Sequence, residues 1–222
     1  MSVPFPSEIL GRVRACGAVA VLVIDDADDA LPLAEALLEG GIDVLELTLR
    51  TPAALAALEC IKKTFPQMIV GAGTILTPEQ ARAAAEAGAD FGVAPGLSPS
   101  VLQAADESGL PFAPGIMTPS EIEVAINSGR RLLKFFPAEP LGGMKFLKSI
   151  AAPYAHLGLE YMPLGGLSLA NIDAYVASPL VLALGGSWIA KREMIQSHAW
   201  GKIHQNAIDA RERIDEIRAG LL

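Results

Sequence analysis

Three features of this chain predict an α/β fold of the (β/α)8, or TIM, barrel class. Short β-like runs alternate with Ala-rich helical stretches at a spacing of roughly two dozen residues. Eight such units follow one another with no linker or low-complexity segment between them, so residues 1–222 read as a single domain. Glycine stands where several helical stretches give way to the next strand, at Gly40-Gly41, Gly88, Gly109, Gly129 and Gly158, the place of a left-handed helix terminus. An open doubly wound sheet is the competing class. It needs a Gly-rich turn after its first strand, and Val23-Ile24-Asp25-Asp26-Ala27 has no glycine.

In chain order, Ser7 to Cys16 predicts an N-terminal helix ahead of the first strand. Strands are expected at Val19–Ile24, Val44–Leu49, Met68–Thr74, Phe91–Pro95, Pro111–Ile116, Leu132–Pro137, Glu160–Gly165 and Val181–Gly185, each a β-like run bounded by turn residues. Helical patterns follow at Ala27–Glu39, Pro52–Phe65, Pro78–Ala87 and Pro119–Asn127, among others. Four hydroxyl-proline pairs, Thr51-Pro52, Thr77-Pro78, Ser98-Pro99 and Thr118-Pro119, predict helix starts. There the hydroxyl caps orphan N–H groups and proline occupies the first helical position, where its missing N–H costs nothing. Trp200 to Leu221 predicts a long amphipathic helix after the last unit.

The chain is 51% hydrophobic and 19% charged, with enough apolar material to bury a core without disulfides or metals. Its net charge is −8, from 17 Lys and Arg against 25 Asp and Glu, and no run of Lys or Arg exceeds two residues. No basic stripe is present to neutralise nucleic-acid phosphates or to meet an acidic membrane surface. Met1 to Gly11 lacks a basic stretch followed by an apolar one, and no apolar run reaches membrane-spanning length, so a cytoplasmic location is expected. Cys16 and Cys60 have no CxxC or Cys/His spacing and read as small buried hydrophobes. His156, His198 and His204 lack metal-ligand spacing and read as surface residues; no metal or cofactor is expected. Trp188 and Trp200 read as packing residues.

Barrel strands are near-continuous apolar runs, so polar residues at their C-terminal ends are the informative ones. In Val44-Leu45-Glu46-Leu47-Thr48-Leu49-Arg50, strand alternation sets Glu46, Thr48 and Arg50 on one face and the three leucines on the other. A carboxylate and a guanidinium inside a small barrel are costly unless paired or met by a ligand, and either a structural ion pair or a binding site fits. Lys134 lies mid-strand in Leu132-Leu133-Lys134-Phe135-Phe136-Pro137, with Phe136 on its own face. Apolar surroundings disfavour an ammonium and leave free amine able to attack a carbonyl, the setting of a Schiff-base lysine. The alternative is a lysine snorkelling to solvent from the strand end. Gly165-Gly166 and Gly185-Gly186-Ser187 follow the seventh and eighth expected strands. Barrels bind phosphate there through exposed N–H groups, although glycine pairs also serve tight turns. Gly71-Ala72-Gly73-Thr74 ends the third strand and reads as close barrel packing, with Thr74 facing the mouth.

Taken together, Glu46-Leu47-Thr48-Leu49-Arg50-Thr51, Gly71-Ala72-Gly73-Thr74, Ala94-Pro95-Gly96, Pro114-Gly115-Ile116, Lys134-Phe135-Phe136-Pro137-Ala138-Glu139 and Gly185-Gly186-Ser187-Trp188 resemble the 2-keto-3-deoxy-6-phosphogluconate aldolase family. The resemblance implies a metal-free, cofactor-free class I aldolase on a (β/α)8 barrel. It implies a homotrimer that cleaves a phosphorylated keto acid to pyruvate and glyceraldehyde 3-phosphate, many members also acting on 4-hydroxy-2-oxoglutarate. It makes Lys134 the Schiff-base lysine and Glu46 the general acid/base. Arg50 and Thr74 fall to the pyruvate carboxylate, Pro95 and Phe136 to the apolar walls, and Gly165, Gly166, Gly186 and Ser187 to the phosphate. The chain departs from the family at Leu164, where threonine is usual. That leucine bears on efficiency and on the choice of aldehyde. An aldolase for another keto acid and a non-catalytic phosphosugar-binding barrel are the alternatives.

Overall fold

The computed structural model describes residues 2–220; the expectations that reach Met1 and Leu221 lie outside the described residues. The N-terminal helix forms as expected, α1 (Ser7–Cys16). The strands are β1 (Ala18–Leu22), β2 (Val44–Thr48), β3 (Ile69–Gly73), β4 (Phe91–Val93), β5 (Phe112–Ala113), β6 (Gly115–Ile116), β7 (Leu132–Phe135), β8 (Glu160–Pro163) and β9 (Leu184–Gly186). Between and after them run α2 (Ala30–Glu39), α3 (Ala54–Thr64), α4 (Pro78–Glu86), α5 (Pro99–Glu107), α6 (Pro119–Asn127), α7 (Gly143–Ala151), α8 (Asp173–Val176), α9 (Arg192–Gln196) and α10 (Trp200–Ala219).

All strand pairings are parallel and the sheet curls as a partial barrel. The expected single closed sheet is replaced by two. Six strands run in the order β5-β4-β3-β2-β1-β9 and three in the order β6-β7-β8. Two isolated bridges, Tyr161 with Val181 and Leu164 with Gly185, tie the β8 segment to the β9 segment. The break between sheets falls at Pro114, inside the run expected as one fifth strand, where the ring leaves no N–H for the ladder.

Buried leucines and isoleucines, among them Leu33, Leu37, Leu45, Leu47 and Leu58, join helices to the outer faces of the strands. The helix ends follow the glycine punctuation: Gly41, Gly88, Gly109, Gly129 and Gly158 take positive φ between 64° and 85°. Two of the four hydroxyl-proline pairs act as caps with side-chain bonds, Thr77 and Thr118. Ser98 precedes α5 without a capping bond. Thr51 is not a cap at all: α3 begins later, and the Thr51 hydroxyl donates to Ile24 O. The expected helix at Ala27–Glu39 opens with a short 3-10 turn, Ala27–Asp29, before α2.

The long C-terminal helix α10 packs on α2 and closes the C-terminal end of α1. Arg218 donates to Ala15 O at 3.0 Å and Arg14 O at 2.7 Å, and Arg211 donates to Ala15 O at 2.9 Å, so the otherwise orphan carbonyls of α1 are satisfied. At the base of the sheets, Phe5 meets Phe91 at the start of β4 with ring centroids 6.2 Å apart. Of the cysteines, Cys16 is buried as expected, and burial pushes its thiol pKa up. Cys60 is only half-buried. His156 and His198 are exposed, while His204 is half-buried. No helix among the described residues is long and apolar enough to cross a membrane.

Candidate active site

At the C-terminal ends of the strands lies a cavity of about 220 Å³, lined by residues of β1, β2, β7 and β9 and of the segments that follow β1, β2, β3, β4, β7, β8 and β9. Strand register builds its reactive end. Glu46 stands opposite Gly71 of β3, and Lys134 is flanked by Gly115 of β6 and Met162 of β8. Both side chains turn inward from different sheets and meet. Lys134 Nζ donates to Glu46 Oε1 at 3.1 Å, with Oε2 at 3.5 Å. Glu46 is wholly buried and Lys134 is 4% exposed.

This pair revises two expectations. The partner of Glu46 is Lys134, and Arg50 makes no ion pair among the described residues. Nor is Lys134 an isolated amine among apolar groups, because the carboxylate compensates its buried charge. Phe136 does share its face, with Nζ 5.5 Å from the ring centroid. Such a pair, beside an open cavity, couples a nucleophile to a group able to hold its proton.

Around the pair stand Thr48, Arg50, Thr74, Pro95 and Phe136. Arg50 is exposed at the mouth, and its guanidinium is free to meet an anion. Thr74 has φ 57°, a conformation that costs a β-branched residue of the order of 1–3 kcal/mol and clusters at functional sites. The far end is formed by Gly165, Gly185, Gly186 and Ser187. Every site residue expected from sequence lines this cavity except Gly166. That glycine lies on the surface beside it, packed on Glu139, and its carbonyl accepts from Asn171.

Five lining residues were not among the expected site residues: Val21, Val23, Thr48, Leu164 and, at the far end, Gly185. The two valines were readable from alternation along β1, which sends every second side chain inward. Thr48 is occupied structurally, its hydroxyl donating to Leu22 O at 2.9 Å. Leu164 closes the wall over Gly185, where a Cβ would come within 2.6 Å of the leucine Cγ. The wall between the two ends is therefore hydrocarbon. A larger but open groove of about 900 Å³ runs between α5 and α6. Among its lining side chains, Asp106 pairs with Arg130 and Gln103 donates to Glu107.

Comparison with known proteins converges on one family. The family model for KDPG and KHG aldolase matches residues 9–206. The 2-dehydro-3-deoxy-phosphogluconate aldolase of Haemophilus influenzae is 41% identical over 211 residues, 95% of this chain and 97% of that protein. The KHG/KDPG aldolase of Escherichia coli K12 is 42% identical over 194 residues, 87% of this chain and 90% of that protein. Among solved structures, the KDPG aldolase of Legionella pneumophila, with pyruvate captured as a covalent carbinolamine intermediate, superposes with a TM-score of 0.84 at 41% identity. It covers 90% of this chain and 96% of its own. The 2-keto-3-deoxy-6-phosphogluconate aldolase of Zymomonas mobilis ZM4, solved with 3-phosphoglycerate, gives 0.82 at 36% identity, covering 93% and 96%. With a buried amine and carboxylate in one cavity, and a family match over most of its length, this chain belongs to the KDPG and KHG aldolase family.

Proposed function

We propose that this chain is a class I aldolase that splits 2-keto-3-deoxy-6-phosphogluconate into pyruvate and glyceraldehyde 3-phosphate through an imine on Lys134. The observation that carries this reading is the 3.1 Å contact between Lys134 Nζ and Glu46 Oε1 inside the cavity. Glu46 takes a proton from the lysine, and the free amine attacks the C2 ketone to give a carbinolamine. Proton return from Glu46 to the carbinolamine hydroxyl expels water and leaves a protonated imine.

The C4 hydroxyl then gives its proton to the Glu46 carboxylate. The C3–C4 bond breaks, its electron pair flows through C3 toward the iminium nitrogen, and the aldehyde leaves. The enamine takes a proton at C3, and water hydrolyses the imine to pyruvate and the amine. Arg50 and Thr74 hold the keto acid's carboxylate, which gives the unpaired guanidinium its anion. Pro95 and Phe136 flank the three-carbon unit, while Gly165, Gly186 and Ser187 receive the phosphate. The carbinolamine in the Legionella relative and the 3-phosphoglycerate in the Zymomonas relative support a keto acid that reacts covalently and a phosphorylated substrate.

A second substrate fits as well. Among the described residues, the cationic side chains lining the cavity are Lys134 and Arg50. 4-Hydroxy-2-oxoglutarate, which carries a carboxylate in place of the phosphorylated tail, is the alternative, supported by the KHG/KDPG aldolase of Escherichia coli among the relatives.

The deciding experiment reduces the protein with borohydride in the presence of pyruvate and locates the adduct by peptide mass spectrometry. A reduced pyruvate adduct on Lys134 is expected. Lys134→Arg, which keeps a cation against Glu46 without a nucleophilic amine, is expected to stay folded and give neither adduct nor turnover. Turnover in that variant, or an adduct on another lysine, would overturn the assignment.

A further inference from the structure

We infer that Glu139 is a positioning residue that fastens both ends of the loop that brings Gly165 to the far end of the cavity, and so sets how the enzyme receives the phosphate of its substrate. This rests on the reading of Gly165, Gly186 and Ser187 as the phosphate end. Glu139 follows β7, the strand of Lys134, in a short 3-10 turn, Glu139–Leu141. From there it reaches the segment after β8 in two ways.

At the near end of that segment the backbones are laced together. Ala138 N–H donates to Leu164 O at 2.7 Å and Glu139 N–H to Gly165 O at 3.0 Å. The contact is close enough to demand glycine: a Cβ at Gly166 would lie 2.7 Å from Glu139 Cβ, and one at Gly165 would lie 3.0 Å from Pro137 Cα. At the far end of the same segment, Tyr175 of α8 donates its phenol proton to Glu139 Oε1. Tyr175 is 2% exposed, and its pKa is pushed up by burial and by the neighbouring carboxylate, so the phenol stays a donor at ordinary pH. Gly143 at the start of α7 leaves room for the pair, since a Cβ there would stand 3.0 Å from Oε1 and 3.1 Å from the phenol oxygen.

Between these anchors the loop holds itself through Asn171, which donates to Gly166 O at 3.0 Å and accepts from Ser168 N–H at 2.8 Å. Glu139 thus connects the strand of the proposed nucleophile to both ends of the loop that begins with Gly165. A backbone phosphate site depends on the direction of its N–H groups, because it has no flexible charged side chain to follow the ligand. Loosening the loop weakens phosphate recognition and leaves the Lys134 and Glu46 end untouched.

The test runs the reaction in the aldol direction, with pyruvate and either glyceraldehyde 3-phosphate or unphosphorylated glyceraldehyde. Tyr175→Phe and Glu139→Ala are expected to raise KM for the phosphorylated aldehyde about tenfold, the scale of one lost hydrogen bond to a charged group. The inhibition constant of inorganic phosphate is expected to rise in parallel. KM for glyceraldehyde and borohydride trapping of pyruvate should stay native, which also reports that the variants fold. Glu139→Gln keeps a carbonyl acceptor for the phenol and is expected to retain near-native KM. Equal losses with both aldehydes would show a merely structural contact and overturn the positioning role. So would a native preference for the phosphorylated aldehyde that survives in every variant. A native enzyme with no such preference and no inhibition by phosphate would overturn the phosphate end itself, and the positioning role with it.

Discussion

Glu46 stands beside Lys134 because Gly73, one strand over, has no side chain. A Cβ at position 73 would fall 2.0 Å from Glu46 Oε1 and 2.6 Å from its Cδ. No real contact is that short, so Gly73→Ala must push the carboxylate away from the amine or the strands apart. A displacement of about 1 Å in a reacting group costs about a hundredfold in rate, while overpacking costs about 1–3 kcal/mol in stability. Gly73→Ala is therefore expected to fold with a lowered melting temperature and to lose about two orders of magnitude in kcat; native kcat would show that Glu46 needs no fixed place. The buried pair was legible in the sequence because a Glu and a Lys interrupt otherwise apolar strands, where each is expensive unless answered. That they answer each other was not legible. Their contact spans 88 residues and two sheets, and only register brings them together. Glu139 was harder still to read, since it lies outside any strand and its partner Tyr175 stands 36 residues on, beyond α7 and β8, at the end of the loop that begins with Gly165.

At the scale of elements, the four hydroxyl-proline pairs look alike and behave differently. Thr77 and Thr118 form reciprocal capping boxes with Gln80 and Glu121, each three residues on. Ser98 and Thr51 have Val101 and Ala54 at that position, which cannot return the bond. The distinguishing signal was present in the sequence as the Gln or Glu at the third helical position; the proline alone overstated the cap. Thr77→Ala and Thr118→Ala are each expected to cost about 1 kcal/mol, and Ser98→Ala only a few tenths, in urea unfolding. Equal costs at all three sites would mean that proline, and not the box, sets these helix starts. The same limit applies to the fifth expected strand. Its apolar run was readable, yet Pro114 within it divides the pairing between two sheets.

For the molecule as a whole, the buried tyrosines make stability a function of alkali. Tyr161 on β8 is 1% exposed, and its hydroxyl has no hydrogen-bond partner among the described residues. Burial pushes its pKa from 10.0 up to about 12. The folded chain thus holds a proton that the unfolded chain releases above its own pKa. Its contribution is fully present below about pH 10 and is lost as pH rises from there toward about 12. Tyr161→Phe removes that titration and the unpaired hydroxyl together. At neutral pH the variant is expected to gain about 1 kcal/mol by relieving the unsatisfied group, a rise of about 2–4 °C in Tm for a chain of this size. In alkali the native protein also loses stability through self-repulsion, since a net charge of −8 grows as lysines and tyrosines deprotonate. That loss is common to both proteins, so the difference between their melting temperatures isolates Tyr161. The gap is expected to widen between about pH 9 and about pH 11. A constant gap would mean that the phenol ionises in the folded state as readily as in the unfolded one, and therefore that water reaches it between β8 and the helices.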